Sequence, residues 1–168
     1  MNAKPRWLRF VNLTILVVVG GRSTQEIWGG ATGPLLWLGL AFFGFLFLGV
    51  NLVFAQELIR FVQTPRKSRE AVKEFIIVFL TGISNVFIFA FIYSIYGIAS
   101  GTDIIKGDLV TSLYFSIVTW TTLGYGDFSP LPALRLVAAF EAFLGYLYMA
   151  ILVGMFLDVL QYITKTKE

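Results

Sequence analysis

Residues 108–128 read DLVTSLYFSIVTWTTLGYGDF, an apolar stretch that becomes polar and glycine-rich at its end. Asp108 is suited to cap a helix start, because its carboxylate accepts hydrogen bonds from the free N–H groups of a first turn. Leu109 to about Trp120 would form a helix of about 18 Å at 1.5 Å per residue. Such a helix reaches only about half way through a membrane, so the chain must return along residues 121–127.

The composition indicates a protein solvated by lipid. Hydrophobic residues make up 57% of the 168, and only 14% are charged, too few to cover the surface of a soluble domain. The chain has no cysteine and no histidine, which removes thiol chemistry and the commonest general base and metal ligand. We therefore expect no enzyme activity and no organic cofactor. The net charge of +3 gives no reason to expect a nucleic-acid partner.

Three stretches are long and apolar enough to cross a bilayer, for which about 20 residues suffice. Phe75–Ala99 has no charged residue over 25 positions. Pro34–Ala55 is uncharged over 22 positions and is expected to continue as a helix to Val62. The third runs from about Leu134 to Tyr162, and its central part, Ala142–Leu157, is uncharged.

A fourth apolar stretch, Phe10–Gly21, is only 12 residues long and follows Lys4, Arg6 and Arg9. It is open to three interpretations: a short spanning helix, a helix lying in the interface, or the start of a cleaved signal peptide. Because no A-x-A-like cleavage site follows, the sequence favours retention over cleavage.

The distribution of lysine and arginine predicts the orientation in a plasma membrane or bacterial inner membrane. Both termini and the loop at 64–70 are basic, which places them in the cytoplasm. Ten of the thirteen basic residues then lie inside, and only Arg22, Lys106 and Arg135 lie outside. Loops 22–33 and 100–108 would face outward. The ten cytoplasmic residues are Lys4, Arg6, Arg9, Arg60, Arg66, Lys67, Arg69, Lys73, Lys165 and Lys167.

The segment Thr122–Asp127 resembles the T-x-G-Y-G-D signature of the potassium-channel pore-domain family, and Ser116–Trp120 resembles its pore helix. The resemblance covers roughly residues 75–162. It implies an all-α membrane protein in contact with membrane lipid, in which each chain joins three identical partner subunits to form a homotetramer. The implied pore domain, 75–163, has an outer helix 75–99, a pore helix 109–121, a filter 122–127 and an inner helix 131–163.

By this resemblance, potassium ions are bound by the carbonyl oxygens of Thr122, Leu123, Gly124 and Tyr125 and by the Thr122 hydroxyl, and Gly126 completes the filter. Glycine is suited to Gly124 and Gly126, because pointing successive carbonyls to one side needs backbone angles that other residues resist. The carboxyl end of the pore helix carries about half a negative charge, which four copies would aim at a cation.

Asp127, Thr119, Trp120 and Glu141 are the candidate filter supports. An ionisable residue within a span is a functional candidate, so Glu141 is expected to hydrogen-bond behind the filter, or else to lie near the outer surface. Val118 and Phe115 replace a glutamate and a tryptophan of some family members. Asp127 is therefore expected to lack the usual partner, with the Thr119 hydroxyl as a substitute for the tryptophan N–H.

The inner helix carries the gate candidates. Gly145 is either a hinge or a site of close helix packing, and Gly154 is a weaker hinge candidate. Asp158 would form an acidic ring at the inner mouth, unless it is merely a solvated helix end. Three apolar residues about one turn apart either line the cavity or simply pack: Met149, Val153 and Leu157.

The remaining divisions are membrane segments 1–64 of unknown role, a basic cytoplasmic loop 65–74 and a cytoplasmic tail 164–168. Residues 1–64 are expected to form a collar around the pore. The sequence predicts passive potassium conduction, and it leaves any regulatory partner undefined. Two alternatives stay open: a weakly selective cation channel, and a non-conducting regulatory or transporter subunit.

Overall fold

The structure, a computed structural model, describes residues 34–63 and 68–165. Four α-helices dominate it, with three very short strands and one 3-10 turn, Pro132–Leu134, between them. The apolar stretch 10–21 and residues 65–67 of the predicted basic loop 65–74 lie outside the described residues. Residues 68–74 of that predicted loop are helical instead. The helices are α1 (Pro34–Gln63), α2 (Ser68–Tyr96), α3 (Leu109–Trp120) and α4 (Arg135–Lys165), and the strands are β1 (Ile98–Ser100), β2 (Asp103–Ile105) and β3 (Ser129–Pro130).

Three segments in the described part are long and apolar enough to cross a membrane: Ala41–Phe61, Val72–Tyr96 and Pro132–Gln161. The helix α3 is apolar but shorter, with 12 residues. These properties confirm the predicted all-α membrane fold, in which two spanning helices flank a shorter one and another helix precedes them.

The helix α2 lies at the centre and packs against each of the other three helices. Between α1 and α2 the core is formed by Phe43, Val50, Ile88 and their neighbours. A second core joins α2, α3 and α4. Its largest side chains include Tyr93, Phe115, Trp120 and Tyr148. The opposite side of α1 exposes large apolar side chains suited to lipid, namely Phe42, Phe45, Leu48, Leu52 and Ile59.

The three strands form an antiparallel sheet in the order β2-β1-β3. Ile98 pairs with Ile105 on one side and with Pro130 on the other. The sequence analysis treated residues 100–108 as a loop and missed this sheet, because its strands have only two or three residues. Since β3 follows the glycine-rich segment, the sheet ties that segment to the end of α2.

The helix boundaries differ from the predicted ones at several ends. α2 begins at Ser68 rather than 75, because its first turns are polar and hydropathy marks only the apolar part. It ends at Tyr96 rather than 99, since Gly97 has φ +98° and its N–H donates to the Tyr93 carbonyl (2.7 Å). α4 begins at Arg135 rather than 131, after the 3-10 turn, and extends to Lys165 rather than 163. α3 ends at Trp120 rather than 121.

Replacing Gly97 by alanine should destabilise the fold. The left-handed backbone alone costs a side chain about 1–2 kcal/mol. In addition, the new Cβ would lie 2.7 Å from Lys106 Cγ and 3.1 Å from the Ile105 carbonyl oxygen. Thermal unfolding of the purified protein in detergent should show a lower midpoint.

Gly101→Ala is the matched control, because Gly101 also has positive φ (+60°) but has open space where the new Cβ would lie. Gly97→Ala should lower the unfolding midpoint more than Gly101→Ala does. Equal midpoints would show that the packing of Lys106 and β2 against Gly97 contributes nothing.

Candidate functional site

The helix α3 begins with a side-chain cap. The Asp108 carboxylate accepts hydrogen bonds from the N–H groups of Val110 (3.0 Å) and Thr111 (3.3 Å), and also from the Thr111 hydroxyl. The Thr111 hydroxyl and these N–H groups hold the pKa of the Asp108 carboxyl below its ordinary value. A negative charge at this end is also favoured by the helix dipole.

The other end of α3 passes directly into the glycine-rich segment. The N–H groups of Thr121, Thr122 and Leu123 donate to the carbonyls of Ile117 (2.9 Å), Thr119 (3.0 Å) and Val118 (3.0 Å). These bonds satisfy carbonyls that the last helical turn would otherwise leave free. The start of the segment is thereby fixed relative to the helix axis.

Along residues 122–126 the sign of φ alternates. φ is +57° at Thr122, +55° at Gly124 and +82° at Gly126, whereas Leu123 and Tyr125 are not among the positive-φ residues. In an ordinary strand successive carbonyls point to opposite sides. When left-handed and right-handed backbone conformations alternate, successive carbonyls turn toward one side instead. Glycine adopts the left-handed conformation easily, and it occupies two of the three positions with positive φ.

Thr122 is the only non-glycine residue with positive φ in the described part of the chain. A β-branched residue is rare in this conformation, which costs on the order of 1–3 kcal/mol and occurs mainly at functional sites. Its hydroxyl donates to the Thr121 carbonyl (2.7 Å). Residues 122–126 are all exposed in the single chain.

Gly145 lies against the carboxyl end of α3. A Cβ at this position would overlap the Trp120 carbonyl oxygen and lie 2.9 Å from its carbon, so only glycine permits this approach. The structure thus gives Gly145 a packing requirement, as small residues often have between membrane helices. Its role as a hinge stays a prediction.

Glu141 is fully buried where α2, α3 and α4 meet. Its carboxyl group is hydrogen-bonded by the Tyr93 hydroxyl of α2 and by the Ser116 hydroxyl of α3. The Ser116 oxygen also lies 2.9 Å from the Val86 carbonyl oxygen of α2. Glu141 therefore connects the three helices behind α3, and it does not lie at the outer surface.

Asp127 has a partner that the sequence analysis missed. The Tyr114 hydroxyl donates to Asp127 Oδ2 (2.8 Å), and the Phe128 N–H donates to Oδ1 (3.1 Å). The Tyr114 ring also lies nearly parallel to that of Tyr125, with centroids 6.5 Å apart. Asp127 was expected to lack the glutamate partner that Val118 replaces, and Tyr114 is a different partner, from another position of the same helix.

The remaining predicted residues divide into two groups. Trp120 is buried at the end of α3, and Thr119 contributes its carbonyl to the turn that follows. Met149, Val153 and Leu157 are each at least half exposed on α4, Gly154 has open space around it, and Asp158 is half-buried. The role of these α4 residues in gating stays a prediction.

Two spanning helices that flank a short helix and a returning glycine-rich segment define a pore-loop membrane protein. A protein-family model described as an ion channel matches residues 76–162, more than half of the chain. The chain therefore belongs to this ion-channel family, and the resemblance found in the sequence is confirmed. No curated protein and no solved structure matches the chain.

Tyr114→Phe should loosen the carboxyl end of residues 122–127, because it removes the hydroxyl that holds Asp127 and keeps the ring. We expect amide hydrogen exchange in residues 124–128 to accelerate by about threefold to tenfold, the effect of losing one hydrogen bond. Tyr146→Phe, on an exposed ring of α4, is the control. Equal exchange in the two variants would contradict the role of Tyr114.

Gly145→Ala should displace α3 from α4, because the new methyl group would overlap the Trp120 carbonyl. Overpacking of this kind costs about 1–3 kcal/mol, so the unfolding midpoint in detergent should fall. Gly154→Ala on the same helix meets no atom within 4 Å and should leave the midpoint unchanged. A tolerated alanine at Gly145 would show that the close approach is not required.

Proposed function

We propose that this protein is a subunit of a potassium-selective channel that conducts potassium ions passively down their electrochemical gradient. The observation that carries the proposal is the alternating sign of φ at Thr122, Gly124 and Gly126, within the sequence TTLGYGD. Both the backbone conformation and the residue types suit a row of carbonyl oxygens facing one side.

In the proposed mechanism, the carbonyl oxygens of Thr122, Leu123, Gly124 and Tyr125 replace the hydration shell of a potassium ion, together with the Thr122 hydroxyl. The ion exchanges water oxygens for protein oxygens with little change in energy, so it enters and leaves readily. The carboxyl ends of the pore helices add negative potential where the ion loses its water.

The exposure of the filter supports an assembly of four copies around one axis. Leu123 is 56% and Tyr125 65% exposed in the single chain. Irregular backbone at membrane depth is tolerated only when it is buried in protein or lines a water-filled cavity. Neighbouring copies would cover these side chains, while the carbonyls would line the shared axis.

The proposed orientation places both termini and the loop around residues 64–70 in the cytoplasm, following the bias of lysine and arginine. The sheet of β1, β2 and β3 and the outer end of the filter would then face outward. Potassium would leave or enter the outer mouth beside Asp127 and the β3 strand.

The proposal is tested by ion flux through the purified protein in liposomes, with potassium and sodium gradients compared and barium as blocker. We expect barium-sensitive flux that strongly favours potassium. Gly124→Ala should abolish this flux, because alanine disfavours φ of +55° in the filter. Gly101→Ala is the control, since it makes the same change at positive φ outside the filter and should conduct normally.

Two results would contradict the proposal. Equal potassium and sodium flux would indicate a weakly selective cation channel. An assembled protein without any flux would indicate a regulatory subunit or part of a transporter.

A further inference from the structure

Three polar side chains from three different helices meet in the middle of the membrane region. Asn51, Asn85 and Tyr148 each lie at or next to the midpoint of their spans, Ala41–Phe61, Val72–Tyr96 and Pro132–Gln161. An amide group at this depth is costly unless its hydrogen bonds are made within the protein. An asparagine in an otherwise apolar helix therefore calls for an explanation.

These side chains form a closed ring of hydrogen bonds. Asn51 Nδ2 donates to Asn85 Oδ1 (3.0 Å), Asn85 Nδ2 donates to the Tyr148 hydroxyl (3.1 Å), and that hydroxyl donates to Asn51 Oδ1 (3.2 Å). The Asn51 amide also donates to the Phe47 carbonyl (2.8 Å). The Asn51 amide nitrogen thus donates twice and its oxygen accepts once, so this side chain is hydrogen-bonded to both of the other helices in the ring.

The ring fixes an aromatic side chain that supports the end of the pore helix. Tyr148 is 1% exposed, and its ring stacks on Phe54 of α1 with centroids 4.0 Å apart. On the other side it contacts the Trp120 ring, with centroids 5.2 Å apart. Gly82 of α2 lies beside Tyr148, where a Cβ would make an ordinary van der Waals contact of 3.4 Å with Tyr148 Cδ1.

Trp120 is the last residue of the pore helix and stands two positions before Thr122. Its backbone rests on Gly145 and its ring rests on Tyr148, so α4 holds it at two points. The first point depends only on α4. The second depends also on α1, because Asn51 and Phe54, together with Asn85 of α2, hold the Tyr148 side chain.

We infer that Asn51 is a positioning residue for the filter, which acts by holding Tyr148 against Trp120. The helix α1 is then a working part of the conduction unit as well as a lipid-facing layer around it. This inference rests on the proposed function, because the effect of Asn51 on the filter is measured as a change in ion selectivity. A purely structural role for the ring would affect assembly and stability and leave selectivity unchanged.

The test compares Asn51→Leu, Tyr148→Phe and the double variant in full-length protein, using only the assembled fraction. Asn51→Leu removes the amide with similar volume, and Tyr148→Phe removes the hydroxyl while keeping the ring. Each should lower the potassium-to-sodium flux ratio in liposomes, by up to about threefold, because one hydrogen bond between membrane helices changes the equilibrium of the contact that it holds by about that factor. The double variant should be no worse than either single one, because all three break the same ring.

Gln56→Leu is the matched control, since Gln56 is an exposed amide on the same helix. It should keep the flux ratio of the unmodified protein. The rate of amide hydrogen exchange in residues 118–123 is a second measurement, which does not depend on ion selectivity. Exchange there should accelerate in Asn51→Leu and Tyr148→Phe and stay unchanged in Gln56→Leu.

Each outcome bears on a separate claim. If the unmodified protein is not selective, the proposed function fails, and hydrogen exchange alone decides whether Asn51 positions the end of the pore helix. If the unmodified protein is selective and both variants keep its flux ratio, the inference is wrong. Loss of assembly in both variants would also overturn it, because the ring would then be structural.

Discussion

The structure depends on the contact between the Trp120 carbonyl group and Gly145, where the pore helix meets α4 without a side chain between them. This contact sets the depth at which the pore helix ends. The hydrogen bonds of Thr121, Thr122 and Leu123 begin at that point, so the position of the proposed filter follows from it. A larger residue at 145 would move the filter with the helix.

Further contacts hold the two ends of the pore helix and filter in place. Glu141 joins α3 to the helices behind it, with hydrogen bonds from Tyr93 and Ser116. At the carboxyl end of residues 122–127, the Tyr114 hydroxyl donates to Asp127, and the following strand β3 pairs with β1. Such restraints from several sides are what allow Thr122 to keep a backbone conformation that it would otherwise avoid.

The sequence was sufficient for the parts of the fold that depend on local composition. The pore helix was predicted within one residue of its observed end, because an apolar run between Asp108 and a glycine-rich segment has clear limits. The predicted start of α2 at residue 75 is too late. The turns around Ser68 are polar, and hydropathy marks only the apolar part of the helix. The sheet was missed because its strands have only two or three residues; in addition, β3 is far from β1 in sequence, and Pro130 argues against a strand.

The same limit applies to the site. The motif pointed to the segment that we propose as the filter, whereas the partner of Asp127 could be found only once Tyr114 was seen beside it. Asn51 carried a signal that the sequence analysis did not use, namely an amide in the centre of an apolar span. Its partners, Asn85 and Tyr148, lie on other helices and could not be assigned without the structure.

The most direct test of the central claim is a structure of the assembled protein determined with thallium in place of potassium, by anomalous diffraction. We expect four copies around one axis, with thallium peaks on that axis between the carbonyl oxygens of residues 122–125. Another symmetry, or an assembled protein with no axial peaks at the filter, would contradict it.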